Sequence, residues 1–276
     1  MEDTHFYIDY APYEEVRKVL SCLNPQTAMT ATEVFDALQS QDDPVKSRRT
    51  EILRRLSDLG LARYAKQGSR VTFSITPLGA KVREIDAFDP ELYPDVMHFL
   101  HFSSYDGSPE ARKYLWSYRR CSQLAWREGR LLPHKEIAAR IQSQMNEEFP
   151  YLDYTAQIGA RFDNTAAGRW AQWVGALRPP PFAEKARTLH KRTVLRHELA
   201  LLALDDTYRS RGYRYGDPVI LDDALLDEAA RVFFLDPICC RQLIDLASRV
   251  TTAIELRDTL AGTSVALRSP YGIDRI

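Results

Sequence analysis

The stretch Thr50-Glu51-Ile52-Leu53-Arg54-Arg55-Leu56-Ser57-Asp58-Leu59-Gly60-Leu61 decides the fold, because its period changes at its end. Wound at about 100° per residue, the segment 44–59 places Val45, Ile52, Leu56 and Leu59 on one stripe. Asp43 is the expected N-cap, Pro44 suits the first helical position, and Gly60 suits the residue that ends the helix. After Gly60 the pattern becomes strand-like. Residues 61–66 read as one strand, Gln67-Gly68-Ser69-Arg70 as a turn and 71–75 as the returning strand.

Working outward, the residues before and after extend the same unit. Pro12 opens a helical pattern with Val16, Val19, Leu20 and Leu23 at i, i+3, i+4, i+7, and Asn24-Pro25 closes it. Thr30 stands three residues before Glu33, the spacing of a capping box, and introduces Val34, Phe35 and Leu38. Beyond the hairpin, Thr76-Pro77 opens a fourth helix, expected through Val82. Asp86-Ala87-Phe88-Asp89-Pro90 reads as an acidic break and a domain boundary.

Helix, helix, helix and hairpin in this order resemble the winged helix-turn-helix superfamily. The resemblance rests on Ile52-Leu53-x-x-Leu56-x-x-Leu59-Gly60-Leu61, on the hairpin and on Thr76-Pro77-Leu78-Gly79, which look like the MarR-like and ArsR-like pattern. It covers about a quarter of the chain. It is more specific for fold than for function, since winged helices also serve as protein-docking modules.

Charge bears on that choice. The chain has 276 residues with 37 Lys and Arg against 38 Asp and Glu, so any nucleic-acid role must come from a local patch. Between Pro44 and Arg70 lie Lys46, Arg48, Arg49, Arg54, Arg55, Arg63, Lys66 and Arg70 against only Glu51 and Asp58. The expected arrangement places Lys46, Ser47, Thr50 and Arg54 against base edges in the major groove of duplex DNA. Arg48, Arg49, Lys66 and Arg70 neutralise phosphate. If about five of these cations meet phosphates, binding falls with salt at a log-log slope of about −4 or −5. The bland alternative is a solvated basic face on a protein-docking module.

The remainder reads as mainly helical. Tyr93, Phe99, Phe102, Tyr105, Tyr114, Trp116, Tyr118 and Trp126 recur at helical spacing in two segments, 93–102 and 109–128, which favours a core over base stacking. Asp95, His98 and His101 share a spacing that permits a metal site, although no fourth ligand lies nearby and a packing role is the simpler reading. A helix follows Leu132-Pro133, with Ile137, Ile141 and Met145 on one face. A short one is expected at 154–161. Another, capped by Asp163 or Asn164, carries Trp170, Trp173, Val174 and Leu177. It reads as a degenerate second helix-turn-helix-like unit, with Pro179-Pro180-Pro181 after it.

Further on, residues 193–211 read as a long helix and 219–221 as a short strand. Helices follow at 223–234 and from Pro237, with Leu243, Ile244 and Leu246, and then a hairpin around Gly262. That order again matches a winged helix, with a recognition helix at 237–248 whose only cation is Arg241. This copy suits a protein partner better than DNA.

The expected fold class is therefore mainly α with small β-hairpins: tandem winged units joined by a helical middle segment, divided at 1–86, 87–190 and 191–276. The expected function is non-catalytic DNA binding, as a transcriptional regulator or as the DNA-recognition subunit of a bacterial defence or mobile-element complex. The other class is a structural subunit of a chromosome-organising complex that clasps a protein partner. A homodimer or a place in a protein complex is expected in either case. No phosphate-binding Gly loop, nucleophile elbow or His-Glu-x-x-His occurs, so neither catalytic residues nor a cofactor or metal is expected. Asp205-Asp206 and Asp222-Asp223 read as helix caps. Cys22, Cys121, Cys239 and Cys240 suit neither a disulfide framework nor a zinc knuckle and read as helix thiols. With no signal peptide and no long apolar run, a cytoplasmic protein away from membranes is expected.

Overall fold

The computed structural model describes residues 5–9, 11–39, 50–108, 111–152, 161–183, 185–260 and 262–276. The chain divides into two compact units, one of residues 1–121 with 133–176 and the other of 122–132 with 177–276. The expected cuts at 86/87 and 190/191 do not coincide with this division. The structure is mainly helical with small antiparallel sheets.

In the first unit, α1 (Tyr13–Cys22), α2 (Ala31–Gln39) and α3 (Thr50–Asp58) precede a hairpin of β1 (Ala62–Gln67) and β2 (Arg70–Ile75), and α4 (Pro77–Phe88) follows. The three helices converge on Val16, Val19, Leu20, Val34, Phe35, Leu38, Ile52 and Leu56, all buried. The capping box forms, with the Thr30 amide donating to Glu33 at 2.6 Å and the Glu33 amide donating to the Thr30 hydroxyl at 3.3 Å. At the end of α3, Gly60 takes φ +72° and the Leu61 amide donates back to the Leu56 carbonyl at 2.8 Å. A left-handed residue closing a helix in this way favours glycine. The expected start of this helix at Asp43-Pro44, and Val45 with it, lies outside the described residues.

The hairpin is antiparallel from Ala62 opposite Ile75 to Gln67 opposite Arg70. Thr76 caps α4 by accepting the Gly79 amide at 3.0 Å, and its own amide donates to the Leu61 carbonyl at 3.0 Å. Gly79 packs so tightly there that a Cβ would stand 2.0 Å from the Leu61 carbonyl oxygen. This explains why the Thr76-Pro77-Leu78-Gly79 motif needs a glycine.

Helix α4 does not stop at Val82. It continues through Asp86 to Phe88, because Ile85 is buried and Asp86 accepts from Arg17 Nε at 2.8 Å. The acidic break expected at Asp86 is a helix end at Asp89-Pro90.

The first unit is completed by α5 (Tyr93–Ser103), the start of α6 (Lys113–Glu128), α7 (His134–Glu148) and α8 (Asn164–Gly175). Most of the aromatic run is core, as its spacing implied: Tyr93, Phe99, Phe102, Tyr114, Trp116 and Tyr118 are buried, whereas Tyr105 and Trp126 are half-buried. Phe6 and Ile8, which the sequence reading did not place, are also fully buried, with Phe6 edge-on to Trp116 at 5.7 Å. Asp163 caps α8 by accepting the Thr165 and Ala166 amides at 2.8 and 2.9 Å. The short helix expected at 154–161 falls almost wholly outside the described residues.

In the second unit, α9 (His197–Arg211), β3 (Val219–Ile220), α10 (Asp223–Val232), α11 (Pro237–Val250), β4 (Ile254–Thr259) and β5 (Gly262–Leu267) form helices against a sheet ordered β3-β5-β4. Helix α9 starts four residues later than its leucine pattern implied. The buried Arg192 bridges the backbone to the 234–236 segment, donating to the Phe234 carbonyl and accepting the Asp236 amide, each at 2.8 Å, and this pins the chain before α9 in an extended path. Asp205 and Asp206 are not caps. They lie within α9, buried, where Asp205 accepts the Tyr215 hydroxyl, the Tyr271 amide and Arg209 Nε at 2.9 Å each. Asp222 does cap, accepting the Leu225 amide at 2.8 Å. All four cysteines are free. Among the described residues, no helix is long and apolar enough to cross a membrane.

Candidate nucleic-acid interface

The sequence placed eight side chains at an interface. Lys46, Ser47, Arg48 and Arg49 lie outside the described residues. Thr50, Arg54, Lys66 and Arg70 are described, and all four are exposed.

Thr50 and Arg54 come together on one face of α3. They border a groove of about 590 Å³ between that helix and the hairpin, which Tyr64, Val71 and Phe73 line from the strand side. Tyr64 is 52% exposed and edge-on to Phe73 at 5.9 Å, so the hairpin presents an aromatic surface beside α3. Strand alternation puts Lys66 on the same face of β1 as Tyr64. Arg70 belongs to the other face of the hairpin and reaches Glu33 at 3.5 Å. The geometry therefore joins Thr50 and Arg54 at one groove, puts Lys66 on the same hairpin face as the groove-lining Tyr64 though outside the groove itself, and separates Arg70 from them.

The charge count needs correction. Arg55 does not contribute to a surface patch. It is 2% exposed, and its guanidinium carbon lies 3.8 Å from the centre of the Tyr114 ring. Arginine defaults to the surface in a sequence reading, but position 55 falls beside Ile52, Leu56 and Leu59 on the inward side of α3, where a stacked guanidinium is accommodated. Arg54 is also engaged, donating to Asp9 Oδ2 at 3.1 Å with its side chain 58% exposed. Exposed pairs such as Arg54–Asp9 and Arg70–Glu33 each contribute only about 0–1 kcal/mol and are screened by salt, so both arginines can exchange partners. Arg63 and Lys66 are exposed and make no ion pair among the described residues.

Electrostatics around α3 follow from burial and pairing. Burial opposes ionisation of Asp9, but the bond with His5 and the charges of Arg55 and Arg54 outweigh it and hold the carboxyl below its ordinary value. Burial raises Asp58 instead, against the pull of Arg112, whose Nε donates to it at 2.8 Å. Glu33 is lowered by the backbone and side-chain bonds it accepts from Thr30. Asp9 and Arg112 were missed by the sequence reading, which placed Tyr114 only among the core aromatics. No local pattern ties the extended segment 5–9 or the start of α6 to α3, so only the tertiary fold reveals them.

The possible metal set is resolved as packing. His98 Nδ1 lies 2.9 Å from the Tyr118 hydroxyl and His101 Nδ1 lies 2.8 Å from the Met97 carbonyl, both buried. Among the described residues, no group of three or more His, Cys, Asp or Glu is placed to hold a metal ion.

The second unit carries a helix and hairpin of different character. Arg249 pairs with Asp245 at 2.6 Å, and Glu255 pairs with Arg257 at 2.6 Å and with Arg268 at 3.5 Å. The outward face of α11 bears Ile238, Leu246 and Val250, which are 69%, 44% and 58% exposed. Leu246, expected on this helix with Leu243 and Ile244, is thus a surface residue. Cys240, Ile244 and Ala247 are the buried residues of α11.

No protein-family model matches the chain, and no curated protein sequence does. Two solved structures are similar. The SspB crystal structure matches with a TM-score of 0.61 and 14% identity, over 96% of this chain and 83% of that one. The magnesium ion-bound SspB crystal structure matches with a TM-score of 0.60 and 14% identity, over 95% of this chain and 82% of that one. At this identity the likeness is one of fold, extending over nearly the whole chain.

Proposed function

We propose that residues 13–88 form a winged helix-turn-helix unit that binds duplex DNA without catalysing a reaction on it, and that the second unit carries a further winged-helix-like element for a protein partner. The observation that supports the DNA reading most is the exposure of Thr50 and Arg54 on α3 next to a hairpin whose Tyr64 face also carries the exposed Lys66. A helix with Thr and Arg at its outer face suits the major groove, and a cationic hairpin suits the flanking phosphates. Regulation of transcription and service as the recognition subunit of a bacterial defence or mobile-element complex are both uses of such a unit. The magnesium ion of the similar structure belongs to that protein and carries no metal role into this reading.

A second reading, a subunit that clasps protein, is favoured by one observation: the apolar face of Ile238, Leu246 and Val250 on α11. It applies to the second unit and is compatible with DNA binding by the first. The experiment is an anisotropy titration of a labelled duplex with wild type, Arg54→Ala and Lys66→Ala. Weaker binding by both variants supports the reading. Equal binding by all three removes this face of α3 and the hairpin from it.

A further inference from the structure

We propose that a cationic corner of the second unit, built by the end of α6 and the loop 181–191, holds the phosphate backbone of nucleic acid without reading its sequence. It goes beyond the α3 face and stands on different residues.

Segments 126–132 and 181–191 carry Arg127, Arg130, Lys185, Arg187 and Lys191 against Glu128 and Glu184, in a chain whose total charge is −1. Backbone bonds draw the two segments together within the second unit. The Leu131 amide donates to the Arg187 carbonyl at 2.7 Å and the Leu189 amide to the Gly129 carbonyl at 2.9 Å, which sets Arg130 opposite Thr188. The loop closes on itself where the His190 amide donates to the Pro181 carbonyl at 2.7 Å and the Arg187 amide to the Ala183 carbonyl at 2.9 Å. Lys191 Nζ lies 4.6 Å from the centre of the Trp126 ring, and that ring is held by its own N–H, which donates to Asp227 at 3.2 Å. A braced backbone thus brings together cations far apart in sequence, and a surface already ordered loses less on binding.

Exposure and pairing distinguish this corner from the rest of the unit. Arg127, Arg130, Lys185, His190 and Lys191 are exposed, and Arg187 is half-buried. Arg127 meets Glu128 at 3.8 Å, whereas Arg130, Lys185, Arg187 and Lys191 make no ion pair among the described residues. Elsewhere in the unit arginines meet carboxylates: Arg196 with Glu198 and Arg249 with Asp245 at 2.6 Å, Arg211 with Glu228 at 2.7 Å, and Arg209 with Asp205 at 2.9 Å. Like charges left unmatched and close together repel, and a polyanion relieves that repulsion. Arg187 also holds φ +54°, a left-handed backbone that glycine adopts at less cost, so the loop keeps a cation there against local preference. Cations on a loop, with no helix to enter a groove, suit phosphates rather than base edges.

The test is anisotropy of labelled duplexes of two unrelated sequences, titrated with the full chain across a salt series. Arg130→Gln, Lys185→Gln and Lys191→Gln together should weaken binding to both sequences by the same factor and reduce the log-log slope by about 2 to 3. A control triple, Arg249→Gln, Arg257→Gln and Arg268→Gln, removes the same charge and should match wild type. The substituted loop side chains are exposed, so the urea midpoint should not move. If the loop triple unfolds, Lys185→Gln alone carries the test, with a slope reduced by about 1. Binding weakened by Arg54→Ala and Lys66→Ala but unchanged in the loop triple overturns this proposal and leaves the α3 reading standing. The converse removes the α3 reading alone, and no duplex binding by wild type overturns both. Equal losses from the two triples overturn the proposal, because net charge then explains them. Displacement of the duplex by polyglutamate as readily as by unlabelled DNA at equal charge also overturns it and marks a surface for acidic protein.

Discussion

The helix-and-hairpin pair of the first unit, α3 with β1-β2, and that of the second, α11 with β4-β5, follow the same order and present opposite surfaces. On α3 the outward residues are Thr50 and Arg54, and the hairpin beside it shows Arg63 and Lys66. On α11 the outward residues are Ile238, Leu246 and Val250, and the charges near its hairpin are paired among themselves, Glu255 serving both Arg257 and Arg268. Element order is set by inward residues and turns, whereas the partner is set by what is left outside. One architecture can therefore serve two kinds of contact in one chain.

The two hairpins are also anchored differently, and this gives the largest expected effect. The first is held where Gly79 packs against the Leu61 carbonyl, with no room for a Cβ. Gly79→Ala should destabilise the first unit by about 3 kcal/mol, read as a lower urea midpoint. The second hairpin is joined by β3 and by Tyr208, whose hydroxyl donates to the Val265 carbonyl at 2.8 Å. Tyr208→Phe removes that one buried bond and leaves the carbonyl short of a partner, a loss of about 1–2 kcal/mol in the same measurement.

The surface contrast predicts a smaller stability change with a clear readout. The double variant Ile238→Glu with Leu246→Glu should shift unfolding by no more than about 0.5 kcal/mol, because both side chains are already in water. A loss of several kcal/mol would mean that this face is covered in the folded protein and would remove it as a docking surface.

The smallest effect concerns pH. Asp9 has a folded pKa below its unfolded value, so its contribution is present above the unfolded value and is lost as pH falls through the folded one. The difference in urea midpoint between wild type and Asp9→Asn should therefore be present at neutral pH and shrink below about pH 4. A difference that stays constant down to strongly acidic pH would show that the carboxylate charge is not what matters at this position.

Local signals in the sequence were legible where the fold uses them locally. The Thr30–Glu33 box, Gly60 at the end of α3, the hairpin from Ala62 to Ile75 and the Asp163 cap were all readable from residue type and spacing. Tertiary choices were not. Arg55 looks like a surface cation until Tyr114 is seen beneath it, and Asp205 looks like a cap until the Tyr215 hydroxyl and Tyr271 amide converge on it. The 5–9 segment has too few residues for a periodicity, so nothing marked Phe6 and Ile8 as core. Of the candidate interface, Thr50, Arg54 and Lys66 could be named from the sequence because outward positions on one helix and one hairpin need only local geometry. The cationic corner of the second unit could not, since its residues come from two segments far apart in sequence.

The central claim is that the first unit's helix and hairpin meet DNA and the second unit's do not. It is tested most directly by anisotropy of a labelled duplex across a salt series, with the pair Arg54→Ala and Lys66→Ala set against the pair Arg249→Ala and Arg257→Ala. The account predicts wild-type affinity that falls steeply with salt. The first double variant should bind more weakly, with a log-log slope reduced by about 2, and the second should match wild type. Wild-type affinity independent of salt, or a larger loss from the second pair than from the first, would contradict it.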